Sequence, residues 1–526
     1  MGELGKCLRL RDVTEICHIF RPKCWGIFAI NGRTWHPNEM KFWGSKDIED
    51  FSKAKYTAVI SDLHLCEAEA PHPKYPLWKK YKTRDYFFDG VFEDFLDKLD
   101  ERVDGESIEL ILNGDIFDFD SVTAKPPAPP YRVSWVETLT GLKPQEEKSV
   151  FKVKRILNHH EQWVRSLRDF LKKGHRVIFV IGNHDLELHW PRVQEAIVEA
   201  LTEEEEDLQS QIRFNEWFYI SNSDTLIEHG NQYDPYCLAE DPVNPLIQRF
   251  NRLEVRVPFG NLATRYLINR MGFFNPHVDS NFIMSAWEYV KFFFRYMFRA
   301  QPQLLLTWLF WSIVILVQSF FDRLLPSVKN PLTIEDRIEN IAKKANTKPR
   351  VVREMRELFV QPATSHPIII LRELWLDRAF LLMLTLLAVF QIFLLINNFY
   401  KVSLFWTFIP ILLFLPFFLF YSSSISSEVH EYKEPKEKIL VTTGLITGVR
   451  RVVYGHTHIP RHELIGPVEH LNSGTWSPAF LDVECKTQVD NKTLVWIEPE
   501  GRGPRKASLL RFKEGAFEVL LKKRTV

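Results

Sequence analysis

The chain has 526 residues, 45% hydrophobic and 13% aromatic, which is long enough for more than one domain and ample for a sizeable core. Lys plus Arg equals Asp plus Glu at 67 each, which excludes recruitment of nucleic acid or an anionic surface by bulk charge. The six cysteines (Cys7, Cys17, Cys24, Cys66, Cys237 and Cys485) form no Cys-x-x-Cys pair and no dense framework, so a reducing compartment is the simpler reading.

Residues 1–55 show no long apolar core and no small-residue cleavage site, and Lys6 stands where a myristoylation signal would want Ser or Thr. The stretch reads as a packed or amphipathic N-terminal extension. The run Tyr56-Thr57-Ala58-Val59-Ile60 predicts a buried strand, and it ends in Ser61-Asp62-Leu63-His64-Leu65. A carboxylate and an imidazole two residues apart can hold one metal ion, although an isolated Asp-x-His is more often a turn. Lys79-Lys80-Tyr81-Lys82 reads as a solvated basic surface, close enough to Asp62 to meet an anionic substrate. Residues 87–99 follow helical spacing through Phe88, Val91, Phe92, Phe95, Leu96 and Leu99. A second strand, 108–112, ends in Asn113-Gly114-Asp115, and the proline-rich 125–130 is a loop. Residues 151–171 predict one helix, with His159 and His160 as non-ligands. A third strand, 177–181, ends in Gly182-Asn183-His184-Asp185. The acidic run 203–207 reads as a solvated helix end or loop. A fourth strand, 225–227, runs into Glu228-His229-Gly230, followed by Asn231 and Asp234 as groups that support a ligand or face the substrate, with turn chemistry the commoner role.

From about 260 to 440 the composition becomes rich in Phe, Leu and Trp. Residues 304–321, 379–400 and 402–421 contain no charge, and each is long enough to cross a hydrocarbon core. The last two predict a helical hairpin. Residues 282–299 mix Lys291, Arg295 and Arg299 with aromatics, which suits an interfacial helix. The charged 322–378 predicts short helices packed on the soluble domain, with a break at Asn346-Thr347-Lys348-Pro349. A fifth strand, 451–454, ends in Gly455-His456-Thr457-His458, and 494–498 and 508–512 read as edge strands closing a sheet.

Five apolar strands therefore end in glycine-flanked carboxylate or imidazole clusters, the way a sheet delivers ligands to one edge. In order, the blocks Asp-x-His, Gly-Asp, Gly-Asn-His-Asp, His-Gly and Gly-His-x-His resemble those of the calcineurin-like metallophosphoesterases. The resemblance covers about 56–235 and 445–480. It implies that Asp62, His64 and His458 hold one metal, that Asn183, His229 and His456 hold a second, and that Asp115 bridges them. It also implies that His184 is the catalytic histidine, with Asp185 orienting its ring. Two cations about 4 Å apart clamp phosphate oxygens and activate a bridging water, and a carboxylate bridge offsets their repulsion. Mixed nitrogen and oxygen ligands suit manganese, with iron, zinc or cobalt as alternatives.

The fold class implied is α/β, a four-layer α/β/β/α metallophosphoesterase sandwich interrupted by an α-helical membrane-embedded insertion. The expected organisation is an extension over 1–55, a first domain part over 56–260, the insertion over 261–440 and a second domain part over 441–526. Within the insertion we expect an interfacial or re-entrant piece (282–321), a soluble helical segment (322–378) and a transmembrane hairpin (379–421). His229 precedes the apolar stretches and His456 follows them, so if both serve one site the number of crossings between them is even. The basic residues of 322–378, set against the single Lys401 of the hairpin loop, place the catalytic domain on the cytoplasmic side. The Ser-Asp-Leu-His-Leu and Gly-His-Thr-His-Ile-Pro blocks resemble the branch containing UDP-diacylglucosamine pyrophosphatases, while Asn231 stands where that branch commonly has aspartate. The expected partners are the membrane and a phosphorylated or nucleotide-linked lipid substrate, with no nucleic acid. The alternatives are a membrane-tethered phosphatase or phosphodiesterase for soluble nucleotides or phosphoproteins, and a non-catalytic membrane scaffold.

Overall fold

The computed structural model describes residues 29–30 and 33–34 and the chain from 51 to 525, apart from 273–290, 292–303, 326–330, 425–433, 481–484 and a few single or paired positions. Residues 1–42 and 43–526 are separate units. In the first, Ala29–Ile30 pairs antiparallel with Arg33–Thr34. The remainder of the expected extension up to residue 50, and nearly all of the interfacial helix 282–299, lie outside the described residues.

The second unit begins with strand β1 (Tyr56–Ile60), helix α1 (Asp89–Glu101) and strand β2 (Ile108–Asn113). Helices α2 (Glu146–His159) and α3 (Glu161–Lys172) lead to strand β3 (Arg176–Val180), then α4 (Pro191–Thr202) and strands β4 (Ile212–Asn215), β5 (Phe218–Ser221) and β6 (Thr225–Glu228). Next come helices α5 (Phe259–Ala263), α6 (Leu304–Leu324), α7 (Pro331–Lys344), α8 (Pro349–Arg356), α9 (Leu376–Phe399), α10 (Phe408–Ser424) and α11 (Glu437–Thr447). The chain closes with strands β7 (Arg451–Tyr454), β8 (Arg461–Ile465), β9 (Val468–Asn472), β10 (Thr493–Glu498), β11 (Lys506–Lys513), β12 (Ala516–Leu521) and β13 (Arg524–Thr525).

Two sheets carry the domain. The first has the order β12-β11-β10-β1-β2-β3-β4, and the second β13-β8-β9-β7-β6-β5. Strands β1 to β4 are parallel, and β7 lies parallel to both β6 and β9, so the five predicted ligand clusters all follow the carboxyl ends of parallel strands. The β-branched and aliphatic residues of these strands are buried throughout, as a sheet covered on both faces requires. Side chains of both sheets, among them Val59, Ile111, Ile178, Val453 and Val495, make one apolar cluster. Phe92, Phe95, Trp163, Leu167 and Ile197 from the early helices pack with the other face of the first sheet, including Leu110 and Phe179. Ile338, Ile341, Val352 and Met355 join Leu226 and Val452 of the second sheet. Helices α7 and α8 therefore pack on the second sheet, as expected for short helices of the soluble segment 322–378.

Three sequence expectations are corrected by packing. The single helix expected over 151–171 breaks at His160, whose ring is held by Asp89 Oδ1 at 2.8 Å and the carbonyl of Cys66 at 3.0 Å. The C-terminal strands are not edges: β10 pairs antiparallel with β1 and β11 with β10, leaving β12 outermost. The basic run 79–82 is not a solvated surface. Lys82 is fully buried, with Nζ 2.5 Å from Glu69 Oε1 and 2.7 Å from the carbonyl of Ser121, and Lys79 Nζ donates to the same Glu69 oxygen at 2.9 Å. Burial opposes the charge of Glu69, but Lys82 and Lys79 hold its carboxyl down to about 2. Lys82→Ala removes the buried cation that Glu67 and Glu69 share and leaves them Arg155 and Lys79 alone, so we expect a loss of about 3 kcal/mol, read as a lower unfolding midpoint by scanning calorimetry. In the wild type this contribution is present above pH 4.5 and is lost as pH falls towards 2.

Among the described residues, three helices are long and apolar enough to cross a membrane: Leu305–Asp322, Leu376–Phe399 and Leu404–Ser422. They differ in what they touch. Helix α6 is unbroken and keeps one face packed on the rest of the unit, burying Trp311, Ser312, Ile315, Ser319 and Asp322, while Leu306, Phe310, Ile313, Val317 and Phe321 stay exposed. Asp322 accepts a hydrogen bond from Arg249. The hairpin α9–α10 has no buried residue across its apolar windows. At its root Tyr421 donates to Asp377 at 3.1 Å, tying one arm to the other.

Candidate metal centre

At the carboxyl end of β1 the chain turns sharply. Asp62 has φ 55° and His64 φ 50°, and Asp115, His456 and His458 lie at 52°, 65° and 61°. Left-handed backbone at five non-glycine residues is a strained arrangement, and strain of this kind gathers at functional sites. Strand-like hydrogen bonds hold it: Asp62 N to the carbonyl of Gly114 at 3.1 Å, and His64 N to that of Asp115 at 2.9 Å. Two glycines admit the close approach. A Cβ on Gly114, itself at φ 78°, would come within 2.4 Å of the His229 ring, and one on Gly182 within 2.3 Å of Asp115 Oδ1.

The side chains converge in two adjoining groups. In the first, Asp62 Oδ1 is 3.2 Å from His458 Nε2 and 4.0 Å from His64 Nε2, and the two imidazole nitrogens face each other at 3.3 Å. In the second, Asp115 Oδ2 is 3.2 Å from His229 Nε2, and His456 joins them. The groups share a wall, because His229 Nε2 is also 4.0 Å from Asp62 Oδ1. Asp62 Oδ2 is occupied by His456 N at 3.1 Å, and Asp115 Oδ1 by His184 N at 2.7 Å, so each carboxylate is anchored by one oxygen and offers the other.

The fit to metal ions rests on ligand atoms that are left without a hydrogen bond, two of them 3.2 Å from another donor of the cluster. Asp62 Oδ1, Asn183 Oδ1 and His229 Nε2 are buried and make no hydrogen bond. A buried acceptor left in that state costs about 1–3 kcal/mol, which a coordinated cation removes. The charges agree: burial opposes ionisation of His229, but Asp115 and Asp62 draw its pKa up to about 9, so the carboxylates demand positive charge between them. Donors of oxygen and imidazole nitrogen without thiolate suit first-row divalent ions.

Around this cluster the structure departs from the sequence reading. Asp185 does not orient the His184 ring: its oxygens accept from Gly182 N at 2.6 Å and Ile116 N at 2.8 Å, so it locks the turn between β3 and the cluster. The carboxylate against His184 Nδ1 is Asp118, at 3.5 Å. Burial opposes the charged ring, yet Asp115 and Asp118 hold His184 up to about 10. Asp120 completes a third acidic group with Asp118 and His184. The signal was present as carboxylates at 115, 118 and 120 behind one strand end. Asp234 reaches the cluster, with Oδ2 3.2 Å from His456 Nε2, while Oδ1 takes the turn hydrogen bond from Tyr236 N. Asn231 serves its own loop, donating to the carbonyl of Cys237 at 3.2 Å. His159 accepts from Ala68 N at 2.7 Å, and His160 is held as described, so neither joins the cluster.

Residues 56–264 match the calcineurin-like phosphoesterase family model. No curated protein matches the chain. The family whose model matches implies a metal-dependent phosphoester hydrolase that typically uses two divalent ions, and the described residues include groups that could hold a metal ion.

Proposed function

We propose that the protein is a membrane-anchored phosphohydrolase with a two-metal centre, cleaving a phosphoester or pyrophosphate bond in a lipid-linked substrate. The observation that carries the hydrolase reading is the convergence of carboxylate and imidazole side chains from five strand ends, with Asp62 Oδ1, Asn183 Oδ1 and His229 Nε2 buried there without a hydrogen bond. We assign Asp62, His64 and His458 to one ion and Asn183, His229 and His456 to the other, with Asp115 between them, on a scaffold read as a four-layer α/β/β/α sandwich. When bound, the ions clamp phosphate oxygens and supply a nucleophilic water. His184, with Nδ1 turned to Asp118, serves the leaving oxygen as proton donor. Asp234, beside His456, lies on the side where the rest of the substrate enters.

The membrane part of the reading is supported by the bare hairpin and by its attachment to the site. The loop that carries Asp234 continues into Tyr236, whose hydroxyl donates to Glu373 at 3.2 Å just before α9, and Tyr236 shares an apolar cluster with Trp311, Ile315 and Leu376. In this reading the Asp234 loop links the metal cluster to the packed face of α6 and to the root of α9, so that a phosphoryl group is presented without its acyl chains leaving the bilayer. Even parity follows if α9 and α10 cross while α6 lies along the interface with its packed face on the domain. The lysines and arginines of 322–378 then favour the cytoplasmic side.

The test is product release by the detergent-solubilised chain with Mn²⁺, comparing UDP-diacylglucosamine and phospholipid monoesters with p-nitrophenyl phosphate and soluble nucleotides. We expect lipid turnover to exceed that of the soluble compounds. Turnover of soluble compounds alone reduces the hairpin to an anchor, and none at all with metal bound favours a scaffold.

A further inference from the structure

An amide presents oxygen or nitrogen to a site according to a half-turn about one bond, and only the oxygen binds a cation. Asn183 Oδ1 is buried and makes no hydrogen bond, while its Nδ2 faces Asn261 Oδ1 at 3.4 Å. Asn261 Nδ2 donates in turn to the backbone carbonyl of Asn183 at 2.8 Å and to Asp120 Oδ2 at 2.6 Å. With Asn261 only 1% exposed, water does not compete for these contacts. We infer that Asn261 is a positioning residue of the metal centre: by holding both the amide nitrogen and the backbone carbonyl of Asn183, it fixes the rotation that turns Asn183 Oδ1 to the metal. This assignment rests on the reading of the cluster as a metal centre and adds a residue that the strand-end motifs do not contain.

The support behind Asn261 is itself fixed. Asp120 is held by Asn269 Nδ2, which donates to its backbone carbonyl at 2.7 Å, and by Arg265 Nε, 3.7 Å from Oδ1. Helix α5, which carries Asn261, packs Phe259 and Leu262 with Tyr236, Trp311 and Ile315, and Gly260 N donates to the carbonyl of Tyr236 at 2.8 Å. One short helix thus braces a metal-ligand candidate on one side and the apolar helix α6 on the other. Partners in this outer position set the orientation of a ligand and typically account for about 10- to 100-fold in metal affinity.

The experiment is a Mn²⁺ titration of the full-length detergent-solubilised protein, with bound metal counted by mass spectrometry, for the wild type, Asn261→Ala, Asn183→Ala and the double variant. Asn261→Ser, which keeps a small donor beside Asp120, replaces Asn261→Ala if the latter does not fold. We expect Asn261→Ala to weaken one of two ions by about 10- to 100-fold and to leave the other near its wild-type affinity. In the Asn183→Ala background the same substitution is expected to change metal affinity less than twofold, because its effect runs through Asn183. An equal loss in both backgrounds, an equal loss at both ions, or no loss at all overturns the assignment. A wild-type chain that holds no Mn²⁺ instead overturns the metal-centre reading, and this assignment with it.

Discussion

Replacing Asp115 by Ala is expected to lower phosphate release by about 10³-fold or more and to reduce bound metal from two ions to one or none. The reason is geometric and electrostatic. Asp115 stands where the two donor groups meet, 3.2 Å from His229 Nε2, and its second oxygen receives His184 N. Burial alone would keep such a carboxyl protonated, but His229 and His184 hold it well below the ordinary range, so it enters the cluster as a full negative charge. Without it, two cations face each other with no counter-charge between them. His184→Ala provides the contrast. It removes a ring that lies edge-on to His64 at 4.9 Å between centroids but is not assigned to hold an ion. A rate fall of about 10²- to 10⁴-fold with metal content unchanged is expected there. Kinetics with a soluble phosphoester, paired with metal analysis of the same preparations, separates the two. An Asp115→Ala variant with two ions and an undiminished rate would remove Asp115 from the centre.

The strand ends were legible because each combined two signals, a buried β-branched run and an abrupt polar cluster, and each of the two packed sheets delivers its clusters to the carboxyl ends of its parallel strands. Asp62, His64, Asp115, His229, His456 and His458 meet for that reason. What surrounds them was less legible. Asp185 is adjacent in sequence to His184, yet the turn spends its oxygens on Gly182 and Ile116, and the carboxylate beside the ring is Asp118 from the loop after β2. Adjacency in sequence says little about which way a side chain leaves a turn. Lys79 and Lys82 looked like surface because lysines usually are, but Glu67 and Glu69 of the loop after β1 fold over them, a pairing visible only once both loops are placed. The edge-strand expectation failed because order within a sheet is a property of the whole chain: β10 returns more than four hundred residues later to pair with β1. Helix α6 shows the limit of composition, since an uncharged 18-residue run says only that lipid is tolerated. Ser312, Ser319 and Asp322 on its packed face show that protein is there too.

Two arginines at the centre of the hairpin, Leu387→Arg in α9 and Leu415→Arg in α10, are expected to release the protein from membranes while leaving its soluble chemistry intact. Each arginine at the centre of a membrane helix costs about 2.5–3.5 kcal/mol on insertion scales, so the pair lowers the insertion equilibrium constant by about four orders of magnitude. Both positions are exposed, at 50% and 44%, and the hairpin windows bury nothing against the rest of the chain, so the substitutions remove no core contact. Alkaline extraction of membranes and flotation with vesicles would report the release. Hydrolysis of p-nitrophenyl phosphate by detergent-solubilised protein should stay within about twofold of the wild type, because the strand ends that carry the ligands do not touch either arm. Turnover of a bilayer-embedded lipid should fall with the inserted fraction. If the double variant still resists extraction, the hairpin is not what holds the chain in the membrane, and the exposed face of α6 takes its place. If release from the membrane leaves lipid turnover unchanged, the acyl chains reach the metal centre from solution, and the attachment of the Asp234 loop to α9 through Tyr236 and Glu373 has no part in presenting the substrate.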